Sequence, residues 1–190
     1  NIRVARSRKT ELDGVVSSNS GGDGAFFEGF NSQVKIDNSK FVRNSGSGVT
    51  VSDPKLTFSA SNSQFHSNGD HGANVVKARG TSFDTVEANN NGKSGITSDS
   101  RNFLSMNNVM AVGNIAGAGL EFVATQLSKT RFTVVDTVSI DNNFGIHIRG
   151  SKPVTSATFS NVIACSSLRQ DLKFETTVVI QSEPINIQAS

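Results

Sequence analysis

One cysteine in 190 residues leaves Cys165 without an internal disulfide partner and without the spaced ligands of a zinc site, so it reads as a buried thiol. No stretch approaches the ~18 apolar residues that a membrane-spanning helix needs, and no signal peptide is visible. The formal net charge of +2 is too small to imply nucleic acid. Hydrophobic content of 35% and charged content of 18% are both low, yet the apolar residues are spread along the whole chain, which suits a turn-rich β protein better than disorder. This length is enough for one domain with a sizeable core. The chain begins at Asn1 rather than Met, so it is expected to belong to a longer protein.

What the chain has in quantity is glycine, 17 residues, and several of these recur at a fixed interval. Gly24, Gly48, Gly72, Gly95, Gly119 and Gly145 each precede an apolar, any, apolar triplet and stand 24, 24, 23, 24 and 26 residues apart. Asn1 and Asp171 substitute for the glycine at the two ends. Strand side chains alternate between faces, so positions one and three after each glycine point the same way. Those columns read Ile2, Ala25, Val49, Ala73, Ile96, Leu120, Ile146, Leu172 and Val4, Phe27, Val51, Val75, Ser98, Phe122, Ile148, Phe174, with Ser98 the one polar exception. The column between them, Arg3, Phe26, Thr50, Asn74, Thr97, Glu121, His147 and Lys173, is mostly polar and is expected to face solvent.

A second landmark follows in each repeat, as in "DNSKFVRN" (37–44), "SNSQFHSN" (61–68) and "MNNVMAVGN" (106–114), where Asn or Asp sits between two short apolar strands. Asn38, Asn62, Asn107, Asn108 and Asn161 are expected to line one corner of successive coils and to hydrogen-bond along it as a ladder. Three strands per repeat and an apolar period of two predict a solenoid, and exclude a helix bundle or a sandwich of hairpins. The pattern resembles the right-handed parallel β-helix of the pectate-lyase-like superfamily, which includes polysaccharide lyases, uronate epimerases and phage tailspikes. The resemblance implies an all-β fold of about seven to eight coils of roughly 24 residues over 1–175, followed by a partial coil or cap over 176–190.

Enzymes with this fold usually work on the outward face of the Gly-led sheet. Toward the C-terminal half that face carries Asp99, Glu121, His147, Arg149, Lys173 and Glu175. Glu121 and His147 fall on successive coils of one column and could act as general base and acid, with Arg149 stabilising a developing anion. The same spacing equally fits opposite charges pairing along an exposed ladder. "GGDGAFF" (21–27) resembles the Asn-Thr-Asp-Gly segment of polygalacturonases, with Asp23 in the acid position, but Ser47 and His71 stand where that family carries further acids. "GDHG" (69–72) reads as a polar turn, and His66, His71 and His147 fall on different corners, so no metal site and no cofactor are expected.

The connections after the Gly-led strands are short and carry Lys55, Arg79, Arg101, Lys129 with Arg131, and Lys152, preceded by Arg8 and Lys9. Such a row would form a positive rail suited to an acidic polymer, or would simply solubilise an exposed turn. Tryptophan and tyrosine are both absent, which removes the commonest sugar-stacking platforms and leaves Phe26 as an outward substitute. The expectation is an extracellular, cell-surface or virion protein that recognises a polysaccharide, an anionic one included, with cleavage or epimerisation of it on the first sheet left open. The alternative is a non-catalytic spacer or adhesin solenoid. Nucleic acid and membrane insertion are not expected as partners. A homotrimer, or capping of the open first coil by another domain, is.

Overall fold

The structure, a computed structural model, describes residues 1–29, 33–52, 55–124, 131–151, 154–165, 167–176 and 178–180. Among these residues sixteen strands follow one another: β1 (Ile2–Ala5), β2 (Lys9–Asp13), β3 (Val16–Ser18), β4 (Ala25–Glu28), β5 (Gln33–Asp37), β6 (Lys40–Val42), β7 (Val49–Ser52), β8 (Thr57–His66), β9 (Ala73–Glu87), β10 (Ile96–Val112), β11 (Ala118–Val123), β12 (Arg131–Ile140), β13 (Phe144–Arg149), β14 (Val154–Cys165), β15 (Gln170–Phe174) and β16 (Val178–Ile180). Every pairing is parallel, and the first face runs β1-β4-β7-β9-β10-β11-β13-β15. The second face stacks β2, β5, β8, β9, β10, β12, β14 and β16, and β3 and β6 open a third face that later strands reach by running round the corner. The three short strands per coil are thus separate only in the early coils; β9 and β10 continue unbroken across two corners.

Stacking follows the columns read from the sequence. Ile2 pairs with Ala25, Ala25 with Val49, Val49 with Ala73, Ala73 with Ile96, Ile96 with Leu120, Leu120 with Ile146 and Ile146 with Leu172. From Ala25 to Ile146 these residues are at most 1% exposed. Phenylalanines fill the interior in vertical contacts, Phe41 stacked on Phe65 with centroids 5.7 Å apart and Phe58 tilted against Phe83 at 5.6 Å. Ser98, the polar exception, is fully buried yet satisfied: its hydroxyl lies 2.9 Å from that of Ser100 and 3.3 Å from that of Thr81. Cys165 is only half-buried, because it ends an outward column in register with Ile140, which corrects the expectation of a buried thiol.

The two asparagine-rich corners do different work. Between the second and third faces, Gly14, Asn38, Asn62, Thr85, Asn108, Asp136 and Asn161 all take positive φ, from 47° to 64°. Asparagine and glycine suit this left-handed corner because they adopt it at least cost. These residues are exposed, and Asn38, Asn62 and Asn161 donate from Nδ2 to Asp13, Asp37 and Asp136 of the preceding coil at 3.0, 3.1 and 2.6 Å, as Asn107 does to Asp84 at 2.7 Å. The expected corner therefore pairs asparagine with aspartate in solvent.

The buried asparagine ladder lies at the next corner, in Asn44, Asn68, Asn91, Asn114 and Asn142, each at most 1% exposed. Each amide nitrogen donates to the Oδ1 of the next, at 3.0, 3.1, 3.0 and 2.8 Å. The same nitrogen donates to a main-chain carbonyl one coil back, for Asn68 to Phe41 O at 3.0 Å and for Asn91 to Phe65 O at 3.0 Å. Each Oδ1 also accepts the backbone N–H of the asparagine before it, as Asn91 Oδ1 does from Asn68 N at 3.0 Å. Both donors and both acceptor sites of the inner amides are thereby used.

The close stacking of coils at this corner explains the glycine period. A Cβ on Gly48 would stand 2.6 Å from Gly72 O and 2.9 Å from Asn68 Nδ2, and one on Gly72 would stand 2.5 Å from Gly95 O and 2.9 Å from Asn91 Nδ2. At Gly24, Gly48, Gly72 and Gly95 the chain enters the first-face strand through space already filled by the main-chain carbonyl of the next coil and by the ladder amide behind it.

Candidate functional site on the first face

Alternation along β11 and β13 sends Leu120, Phe122, Ile146 and Ile148 into the core, so Glu121 and His147 between them face outward. Parallel register then places Glu121 beside His147, and His147 beside Lys173 on the following coil. Val123 pairs with Arg149, which brings that guanidinium back over Glu121. Its Nε donates to Glu121 Oε1 at 2.6 Å, and the Ser94 hydroxyl donates to Oε2 at 3.0 Å. Ser94 itself is held from the other side, because its backbone N–H donates to His71 Nδ1 at 3.2 Å. Glu121 thus sits between a serine of the coil below and an arginine of the coil above, with its side chain 13% exposed.

Burial pushes the Glu121 carboxyl upward. The Arg149 hydrogen bond and charge, the Ser94 hydroxyl and the nearby His71 together outweigh that and hold it below the ordinary glutamate value, so it is ionised at neutral pH. Burial is the main reason that the His71 imidazole is depressed, with Lys93 and Arg149 adding to it against the pull of Glu121 and Asp70. His147 is depressed as well, again by burial first, although Glu175 and Glu121 pull it up.

These groups border a shallow cleft of about 210 Å³ lined by His71, Asn74, Thr97, Asp99, Glu121 and Arg149, with valines at its edge. Glu121, Arg149 and Asp99 therefore meet as their sequence positions suggested. His147 does not line this cleft. It lies behind Glu121, with Nδ1 3.9 Å from Glu121 Oε1 and Nε2 3.4 Å from Glu175 Oε1, and its ring packs 5.3 Å from that of Phe144. Lys173 pairs with Glu175 and also stands 4.8 Å over the Phe144 ring. The imidazole that does reach the cleft is His71, which sequence reasoning left in a polar turn. Its turn is stacked against the one that carries Ser94, and that closeness between coils is invisible in a tetrapeptide.

The remaining candidates are dispersed. Asp23 braces a turn, accepting the Ser47 N–H at 2.8 Å, and Phe26 lies under the Arg3 guanidinium at 6.0 Å. Lys55, Arg79 and Arg131 are exposed and Arg101 is half-buried. They lie near the corner between the first and second faces, but Arg131 is in register with Phe103 rather than with Arg101. Lys129 and Lys152 lie outside the described residues. Among the described residues no group of three or more His, Cys, Asp or Glu could hold a metal ion, and no helix is long and apolar enough to cross a membrane.

Parallel coils about a dry interior, with a polar cleft on the outward first face, define a parallel β-solenoid. The chain belongs to the right-handed β-helix family: the family model described as "Right handed beta helix region" matches residues 1–165. No curated protein and no solved structure matches the chain.

Proposed function

We propose that this β-helix recognises an acidic polysaccharide at a cell or virion surface and holds it along the outward first face, in the cleft beside Glu121. The observation that carries this reading is the convergence of Glu121, Asp99, His71 and Arg149, drawn from separate coils, with Asn74 and Thr97 supplying uncharged hydrogen-bonding groups for sugar hydroxyls. An ionised carboxylate beside an imidazole kept neutral by burial suits proton abstraction next to a uronate carboxylate, the step shared by elimination and epimerisation. Glu121 is the proposed base, with His71 as the second proton-exchanging group and Arg149 as the countercharge. His147 positions Glu121 from behind. Arg79, Arg101, Arg131 and Lys55 are proposed to attract the polymer from the neighbouring corner.

The test is binding and turnover of polygalacturonate, alginate and hyaluronan by the wild type and by Glu121→Gln and His71→Asn. Saturable binding that weakens in both variants supports the reading, and appearance of unsaturated or epimerised uronate makes it catalytic. Loss of binding on reversing Arg101 and Arg131 together, with Glu121→Gln unaffected, would move the site to the corner. If none of the three polymers binds, the reading is wrong.

A second reading has its own observation. The charges on this face are already paired within the protein, Arg149 with Glu121, Lys173 with Glu175, and Arg3 with Glu28. A rigid spacer needs no more than that, and it expects Glu121→Gln to change stability while no glycan binds.

A further inference from the structure

A second concavity lies away from the first face, at the corner where the second face turns into the third. Its volume is about 400 Å³, and it shares no lining residue with the cleft beside Glu121. One wall is built by Asn38, Asn62, Thr85 and Asn108, one residue from each of four successive coils. All four hold the left-handed conformation, with φ of 48°, 47°, 55° and 52°, which turns four exposed polar side chains out along one line. The floor is the outward column of the third face, where Lys40 pairs with Gln64, Gln64 with Glu87 and Glu87 with Met110.

The wall is organised before any ligand arrives. Asn38 and Asn62 each donate to an aspartate of the preceding coil, at 3.0 and 3.1 Å, and Asn108 Nδ2 lies 3.4 Å from the Thr85 hydroxyl. On the floor, Glu87 accepts from Gln64 Nε2 at 3.3 Å, and the His66 imidazole lies 3.2 Å from the same carboxylate. Side chains fixed in this way lose little further freedom on binding.

Three features select the ligand. The groove is lined mainly by amides and hydroxyls, and its two charged lining residues, Lys40 and Glu87, are of opposite sign, so it does not favour a polyanion. The wall repeats once per coil, at the inter-strand spacing of about 4.8 Å, whereas an extended peptide advances about 3.3 Å per residue and falls out of step. One pyranose ring of an extended glycan advances by nearly one coil, so successive rings would meet equivalent groups. Finally, Met110 is 36% exposed at one end of the floor and offers an apolar surface to the C–H face of a ring, while the aliphatic stems of Gln64 and Lys40 do so two and three coils away.

We propose that this corner groove is a binding site for a neutral, hydroxyl-rich oligosaccharide lying parallel to the solenoid axis, one ring per coil. It is independent of the reading of the first face and stands whether or not that face binds an acidic polymer.

The experiment is titration of the full chain with maltohexaose, cellohexaose and xylohexaose, followed by calorimetry and by amide chemical shifts. Asn62→Gly and Asn108→Gly remove the side chains while keeping a residue at ease with positive φ, so the fold is retained and circular dichroism checks it. At least one hexasaccharide is expected to bind saturably and to shift residues of the groove. Each glycine variant is expected to weaken it by about three- to tenfold, the loss of one hydrogen bond, while Glu121→Gln leaves it unchanged. Absence of binding by all three sugars overturns the proposal, as does binding that Glu121→Gln abolishes and the glycine variants do not. Groove shifts produced by polygalacturonate and not by the neutral sugars would overturn the assigned ligand class.

Discussion

Replacing Asn91 by alanine removes the middle of the buried ladder, and the cost can be worked out atom by atom. Asn91 Oδ1 accepts from Asn68 N and from Asn68 Nδ2, and Asn91 Nδ2 donates to Phe65 O and to Asn114 Oδ1. The backbone N–H of Asn91 keeps its bond to Asn114 Oδ1 in the variant. Truncation therefore strands two donors of Asn68 and takes one bond each from a carbonyl and an amide oxygen, all within a corner that is at most 1% exposed. A stranded buried donor costs about 1–3 kcal/mol, which puts the total for the two near 2–6 kcal/mol. The control is Asn62→Gly at the exposed corner, which gives up one solvent-facing bond to Asp37 and keeps its positive φ, for less than about 1 kcal/mol. With no Trp or Tyr in the chain, unfolding by urea is followed by far-UV circular dichroism, supported by hydrogen exchange at the Asn68 amide. Solenoids unfold coil by coil, so the local exchange rate is the sharper readout. If Asn91→Ala shifts the midpoint and the Asn68 exchange rate no more than Asn62→Gly does, the ladder does not hold the coils together.

Gly48→Ala should cost about 1–3 kcal/mol or more, because its Cβ would meet the backbone carbonyl of Gly72, while Gly21→Ala, with open space around it, should be near neutral; thermal midpoints compare them. Arg149→Met should destabilise the chain by about 1 kcal/mol at neutral pH, after discounting the bond to charged Glu121 for screening at a half-exposed guanidinium. Since the folded Glu121 carboxyl titrates below its unfolded value, that difference is present above the ordinary glutamate range and vanishes as the pH falls through the lower folded value, which urea titrations at several pH values would show. His66, His71 and His147 are all depressed by burial, so the unfolded imidazoles take up protons first. Stability should be complete above the ordinary imidazole value and decline below it, and His71→Asn should flatten that slope; an unchanged slope would remove His71 from the account.

The core was legible because it repeats. A column such as Val49, Ala73, Ile96, Leu120 is apolar at every level, and parallel register converts the interval in sequence into vertical contact. Ser98 could be flagged as an exception, but its hydroxyl partners come from Thr81 and Ser100, across a corner that no column contains. The ladder was missed because two corners per coil are rich in asparagine. The signal that separates them is constancy: the exposed corner varies among Gly14, Asn38, Thr85 and Asp136, since positive φ and solvent are its only demands, whereas the buried corner is asparagine from Asn44 to Asn142, where a short-stemmed amide supplies the two donors and two acceptor sites that the stack uses. At the site, Glu121 and Arg149 share a face by simple alternation, so both were found. His71 reaches them through a turn whose position depends on how coils settle on one another, and that lies beyond any local pattern.

The alignment of Gly48 over Gly24 and beneath Gly72 makes these points interchangeable. Excising residues 49–72 would join Gly48 to Ala73 and seat one intact winding directly on another, with Ala25 meeting Ala73 in place of Val49 and the amide of Asn44 meeting Asn91 in place of Asn68. Losing one residue from within a strand would instead turn its oily side chains to water. Proteins built this way are free to lengthen or shorten by whole windings and are barred from nearly every smaller step.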